Sequence, residues 1–164
     1  MRAIAASLFA VFMLVACGGQ EEQVTPTAAV VAPAGGGGPT PGSVEEFVQV
    51  VGDRVFFGFD RSDLSGEART TLEGQAQWLQ QYPNVTVQIE GHADERGTRA
   101  YNLALGERRA TAARNYLVAL GIPASRITTI SYGKERPAVL GSNEAAWGQN
   151  RRAVTVIVSG APTS

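Results

Sequence analysis

The chain has 164 residues, 44% of them hydrophobic, and its 14 Lys and Arg against 15 Asp and Glu give a formal net charge of −1. That length holds one domain of ordinary size (~100–150 residues) and a shorter segment, and the charge balance argues against a nucleic-acid surface or a polybasic membrane patch. One cysteine and one histidine exclude a disulfide scaffold and a zinc site of the usual Cys/His type. No metal and no cofactor are expected.

Residues 1–16 read as a signal peptide. Arg2 supplies the positive start, and Ile4 to Val15 is apolar except for Ser7. Such a run is shorter than the ~20 residues of a membrane span and suits an export signal's apolar region. It ends at Leu14-Val15-Ala16-Cys17. Two readings of Cys17 stand here: a free cysteine beside an ordinary cleavage site, or a lipidated first residue. The tetrapeptide resembles the lipobox of bacterial lipoproteins, which makes Cys17 the lipid attachment site. Lipidation also accounts for an unpaired cysteine in an exported chain, and several acyl chains hold a membrane where one is marginal. Gly18 stands where an inner-membrane lipoprotein commonly has aspartate. The resemblance therefore implies the outer membrane, with the chain facing the periplasm.

Residues 17–43 form the lipidated terminus and a tether. Pro26, Pro33, Pro39 and Pro41 alternate with Ala, Thr and the run Gly35 to Gly38, and only Glu21 and Glu22 are charged. This composition cannot bury enough apolar surface to offset chain entropy, so disorder is expected. A flexible coil of that length spans ~30 Å. The folded domain is expected over 44–160.

Arg54 to Phe59 is aromatic and β-branched and predicts a first strand. Gly66 to Tyr82 predicts a helix, with Ser65 as N-cap and Ala68, Leu72, Ala76 and Leu79 at helical spacing. Val85, Val87 and Ile89 alternate with polar residues as a half-buried strand does. A second helix is predicted over Arg99–Leu120, capped by Thr98 and closed by Gly121 and Pro123. Ile127 to Tyr132 and Arg152 to Val158 predict two more strands, with a helical turn at Asn143 to Trp147. The order β-α-β-α-β-β predicts an α+β fold, two main helices on one face of a mixed four-stranded sheet.

The densest polar cluster, Glu90 to Thr98, follows the second strand, where a rigid scaffold commonly places binding groups. Asp94 or Thr98 there could instead serve only as a helix cap. The second helix presents Leu105, Arg109, Ala112, Tyr116 and Leu120 at spacings of three and four. Arg109 thus sits on the apolar stripe, while Arg108 faces solvent. A buried guanidinium needs a partner. Either Arg109 pairs internally with Asp94 or Asp60, or these groups share a ligand carrying both signs of charge.

Phe57-Gly58-Phe59-Asp60, Gly91-His92-Ala93-Asp94-Glu95-Arg96-Gly97-Thr98, Tyr101-Asn102, Leu105-Gly106-Glu107-Arg108-Arg109-Ala110, Ser131-Tyr132-Gly133-Lys134-Glu135 and Asn150-Arg151-Arg152-Ala153 resemble the OmpA-like domain family. Within it the similarity is to the branch of peptidoglycan-associated lipoproteins. The resemblance covers the whole expected domain and implies non-covalent binding of peptidoglycan. The implied ligand is the free end of a diaminopimelate stem side chain, an ammonium and a carboxylate on one carbon. It assigns Asp94 to the ammonium and Arg109 to the carboxylate, a role that suits a guanidinium fork better than lysine. Phe59 and Asp60 line the pocket, Leu105 gives apolar contact, and Asn102 supports the loop. Ser62 stands where many relatives have tyrosine.

The same resemblance implies a role in envelope integrity during cell division within the Tol–Pal system, and a TolB-like periplasmic propeller protein as partner. A stand-alone anchor without such a partner is the alternative. Trp147 and Glu144-Ala145-Ala146 could face a propeller or pack locally, and local packing is the favoured reading. No catalytic activity is expected: a lone histidine cannot build a multi-His zinc site, and no serine or cysteine lies in a nucleophile elbow. A peptidoglycan hydrolase using His92 as general base is the remote rival. His92 is expected to hydrogen-bond the loop.

Overall fold

The alternation through Val85, Val87 and Ile89 becomes strand β2 (Thr86–His92) in the computed structural model, which describes residues 38–162. The expected signal peptide, Cys17 and the tether up to residue 37 lie outside the described residues. Among those described, no helix is long and apolar enough to cross a membrane.

Four strands form one sheet in the order β1 (Arg54–Phe56), β4 (Arg152–Ser159), β2 and β3 (Ile127–Gly133). Strand β4 pairs antiparallel with β1 and β2, and β2 pairs parallel with β3. A parallel pair requires a long crossover, which α3 (Arg99–Ala119) supplies. Helix α2 (Gly66–Gln81) lies on the same side, since its Leu72, Ala76 and Leu79 join Val55, Val87, Ile89 and Ile127 in one core. Leu72, Leu79, Ile89 and Leu117 are fully buried, each worth ~1.5–3 kcal/mol. Ser65 and Thr98 cap the helices as expected, accepting from the amides of Ala68 and Tyr101.

Four expectations shift. Strand β1 ends at Phe56 rather than Phe59, because the carbonyls of Gly58 and Arg61 accept from Arg109 instead of a neighbouring strand. The chain turns there, with Asp60 at φ 55°. The domain also begins before residue 44. Ser43 is fully buried, caps α1 (Val44–Glu46) and is followed by a wider helical turn, Phe47–Gly52, not anticipated from sequence. The rings of Phe47 and Trp78 meet at a tilt of 59° with centroids 4.9 Å apart, and the Trp78 indole donates to Glu46. The helical turn at Asn143 is longer than expected, forming α4 (Glu144–Asn150).

The fourth shift concerns the buried stripe of α3. It runs through Asn102, Leu105, Gly106, Arg109, Ala110, Ala113 and Leu117, so Ala112, Tyr116 and Leu120 are only half-buried. The cause is a backbone contact: a Cβ on Gly91 would lie 1.9 Å from the Gly106 carbonyl oxygen. Small residues bring α3 down onto β2 and rotate its contact face toward Gly106.

Candidate functional site

That close approach sets Leu105 and Arg109 against the end of β2, where the loop 93–98 begins. The loop is laced on both sides. The Ala93 amide donates to Gly133, the Asn102 side chain donates to the Arg96 carbonyl, and Lys134 Nζ donates to the carbonyls of Glu95 and Gly97. Gly97 takes φ 92°, a left-handed turn that glycine makes at little cost.

Arg109 is fully buried, and the internal ion pair with Asp94 or Asp60 does not form. Its Nε donates to the Arg61 carbonyl at 2.8 Å, Nη1 to His92 at 2.8 Å and Nη2 to Gly58 at 3.1 Å. Three backbone dipoles hold the guanidinium, and no carboxylate lies within ion-pair distance among the described residues. Burial lowers its pKa to about 10, against the opposing pull of Asp94. A guanidinium at that value remains charged at neutral pH. The site therefore contains a rigid, desolvated cation without a counter-charge in contact.

Asp94 is arranged oppositely. Its Oδ1 accepts from the Arg96 amide and Nε at 3.1 and 3.2 Å, and its Oδ2 from Arg96 Nη2 at 2.6 Å and Arg151 Nη1 at 3.4 Å. Burial works against ionisation, but the hydrogen bonds and charge of Arg96, with Arg151 behind, hold its pKa below the usual carboxylate range. Arg96 is pressed between two aromatic rings, its guanidinium carbon 4.0 Å from the centroids of both Phe59 and Trp147.

Phe59, Asp60, Asp94, Asn102, Leu105 and Arg109 all line one cavity of about 170 Å³, together with Arg96, Gly97 and Tyr101. All six residues expected at the pocket are thus brought together, from the β1–α2 turn, the loop and α3. Arg96 and Tyr101 were absent from that expectation. Tyr101 is four residues before Leu105 on α3, and its hydroxyl donates to Asp60. Arg151, behind Asp94, also donates to the Phe57 carbonyl and to Glu144; nothing in the sequence links residues 57 positions apart.

Ser62 is not among the lining residues. Trp147 packs locally, its ring under Arg96 and its indole donating to Glu95 at 3.0 Å. Neither is His92 among the lining residues, and its ring makes no hydrogen bond to the loop. Both ring nitrogens are buried without a hydrogen-bond partner; the nearest carboxylate, Glu90, stands 3.6 Å from Nε2, and Tyr132 and the arginines 136 and 152 lie around the ring. Only its carbonyl serves the site, accepting from Arg109. Among the described residues no three His, Cys, Asp or Glu side chains group as metal ligands.

A family model described as the OmpA family matches residues 56–151. A peptidoglycan-associated lipoprotein of Rhizobium meliloti is 50% identical over 147 residues, 90% of this chain and 84% of the relative. One of Brucella melitensis is 49% identical over 154 residues, 94% of this chain and 90% of the relative. The crystal structure of the peptidoglycan-associated lipoprotein from Burkholderia pseudomallei superposes with a TM-score of 0.63 at 42% identity, covering 65% of this chain and 90% of that one. With a matching model over more than half its length, relatives of about 50% identity and the same fold, the chain belongs to the OmpA family and is similar over most of its length to the peptidoglycan-associated lipoproteins.

Proposed function

We propose that the chain is a lipid-anchored outer-membrane protein that binds diaminopimelate-containing peptidoglycan without covalent attachment, tying the membrane to the wall. The observation that carries this reading is the buried Arg109 guanidinium, held by three carbonyls and facing a cavity with no acid in contact. A side-chain end bearing an ammonium and a carboxylate on one carbon fits there. Its carboxylate meets Arg109, its ammonium the side of Asp94 and Asp60, and its methylenes rest against Leu105 and Phe59. Asn102 keeps the loop in place through the Arg96 carbonyl.

The names of the relatives support wall binding and the lipoprotein class. Residues 1–16 are then the signal peptide, Cys17 the acylated residue and 17–43 the lipidated terminus and tether, at whose end Gly42 and Ser43 are buried. Within the Tol–Pal system the domain would also engage a TolB-like propeller during division. The function is binding, with no bond made or broken.

The test is co-sedimentation of the full chain, in detergent, with purified sacculi. Wild type should pellet with diaminopimelate-type walls and Arg109→Ala should stay in solution at matched circular dichroism. Lysine-type walls, lacking the terminal carboxylate, should bind at least about thirty-fold more weakly, the equivalent of about 2 kcal/mol for an unpaired desolvated charge. Equal binding to both walls would remove the assignment.

A further inference from the structure

The two charged ends of the cavity are not equally ready for a ligand. Asp94 meets four N–H groups, three from Arg96 at 2.6 to 3.2 Å and one from Arg151 at 3.4 Å. A carboxylate offers about four lone-pair sites, so Asp94 is saturated. Its main partner is clamped by Phe59 on one face and Trp147 on the other. An ammonium reaching Asp94 must push Arg96 aside, exchanging one charge-assisted contact for another with little net gain. The other acid on the lining, Asp60, is exposed and already accepts from Tyr101. Exposed ion pairs contribute little.

Arg109 presents the reverse. Of the five N–H donors of a guanidinium, the Nε hydrogen and one on each terminal nitrogen are taken by carbonyls. One donor remains on Nη1 and one on Nη2, the number a carboxylate's two oxygens take up. A carboxylate arriving there supplies the counter-charge that a buried cation lacks.

We infer that the ligand's carboxylate supplies most of the affinity of this cavity and its ammonium little, because Asp94 is already saturated by Arg96 and Arg151 while Arg109 contacts no acid. The inference rests on the proposed reading of the cavity as a site for an ammonium and a carboxylate on one carbon. It makes the cavity discriminate most sharply against ligands whose terminal carboxylate is amidated, and tolerate those whose neighbouring ammonium is absent.

Calorimetric titration of the full chain with three soluble probes tests it: a stem tripeptide ending in diaminopimelate, the same peptide with the side-chain carboxylate as carboxamide, and the same peptide with the side-chain ammonium replaced by hydrogen. The carboxamide should bind at least about thirty-fold more weakly than the parent. The des-amino peptide should lose less than about five-fold, as for an exposed or exchanged ion pair. In Arg96→Gln, where Asp94 is released from its clamp, deleting the ammonium should cost about ten-fold or more. A larger loss for the des-amino peptide than for the carboxamide in wild type, or no change in the ammonium's worth in Arg96→Gln, overturns the inference with the site assignment intact. No binding of the parent tripeptide overturns the site assignment, and the ranking falls with it.

Discussion

The two sides of strand β2 treat buried polar groups in opposite ways. Toward the helices, Gly91 lets α3 descend and Arg109 finds three carbonyl acceptors. On the other side, two residues after Glu90, His92 is 1% exposed with both ring nitrogens unpartnered, and Arg152 has an Nη1 in the same condition. An unmade hydrogen bond in a dry setting costs more than a made one contributes. Among the described residues the buried nitrogens without a partner thus lie away from the cavity, and the ordering of the Arg109 fork comes from backbone, which substitution in the loop does not alter.

The largest effect expected of a single change breaks the helix side. In Gly91→Ala the added methyl would sit 1.9 Å from the Gly106 oxygen and 2.5 Å from its carbonyl carbon, both main-chain atoms that cannot rotate away. Overpacking of this kind costs about 3 kcal/mol or more, measured as a fall in the urea midpoint. Gly66→Ala is the control, because its Cβ would meet nothing within 4 Å at the first residue of α2; it should leave the midpoint unchanged or slightly raised. A mild Gly91→Ala would mean that α3 does not rest on β2 by backbone contact.

That same contact explains what was legible in the sequence. Alternation and caps revealed β2, α2 and α3, since Val87, Ile89, Ser65 and Thr98 act through side chains whose chemistry a sequence displays. The apolar spacing of α3 runs one residue off its buried face in the second half, because Gly106, which makes the close approach, and the buried Ala110 and Ala113 carry weak hydrophobic periodicity. The turn at Phe47–Gly52 leaves no periodic signal for a related reason: Phe47 is its only buried residue, while Val48 and Val50 are exposed. The six pocket residues came from the family resemblance, with Arg109 also marked by its place on an apolar stripe. Its true partners are carbonyls, which no side-chain pattern shows, and Arg96 and Arg151 converge on Asp94 from positions without common spacing.

The opposite side of β2 should reveal itself on acidification. Burial, then the charges of Arg152 and Arg136, lower the His92 pKa from 6.5 to about 4. The folded state thus takes up its proton later than the unfolded chain, so stability is fully present above pH 6.5 and is lost as pH falls toward 4. That shift corresponds to about 3 kcal/mol across the window. His92→Phe keeps a ring among Tyr132 and its neighbours and removes both unpartnered nitrogens. Its melting temperature should therefore fall less than that of wild type between pH 7 and pH 4.5. Parallel declines would mean that His92 is solvated or paired in solution, and the contrast between the two sides of β2 would weaken.

The smallest effect tests whether the far face of the sheet is open. The outward row of β4 is Val154, Val156 and Val158, where an exposed strand face ordinarily alternates to polar residues. Val158 is 63% exposed, whereas Val87 on the helix side is 1% exposed. Threonine keeps the β-branch and the strand preference and changes only one methyl to hydroxyl. On an open face, Val158→Thr should shift the unfolding free energy by less than about 0.5 kcal/mol. Val87→Thr should cost about 1–3 kcal/mol, because its hydroxyl would be buried among Ile89, Ile127 and Leu117 without a partner. If the two substitutions cost the same, the valine row is covered in solution, and β4 is buried on both faces as its run of apolar residues would suggest.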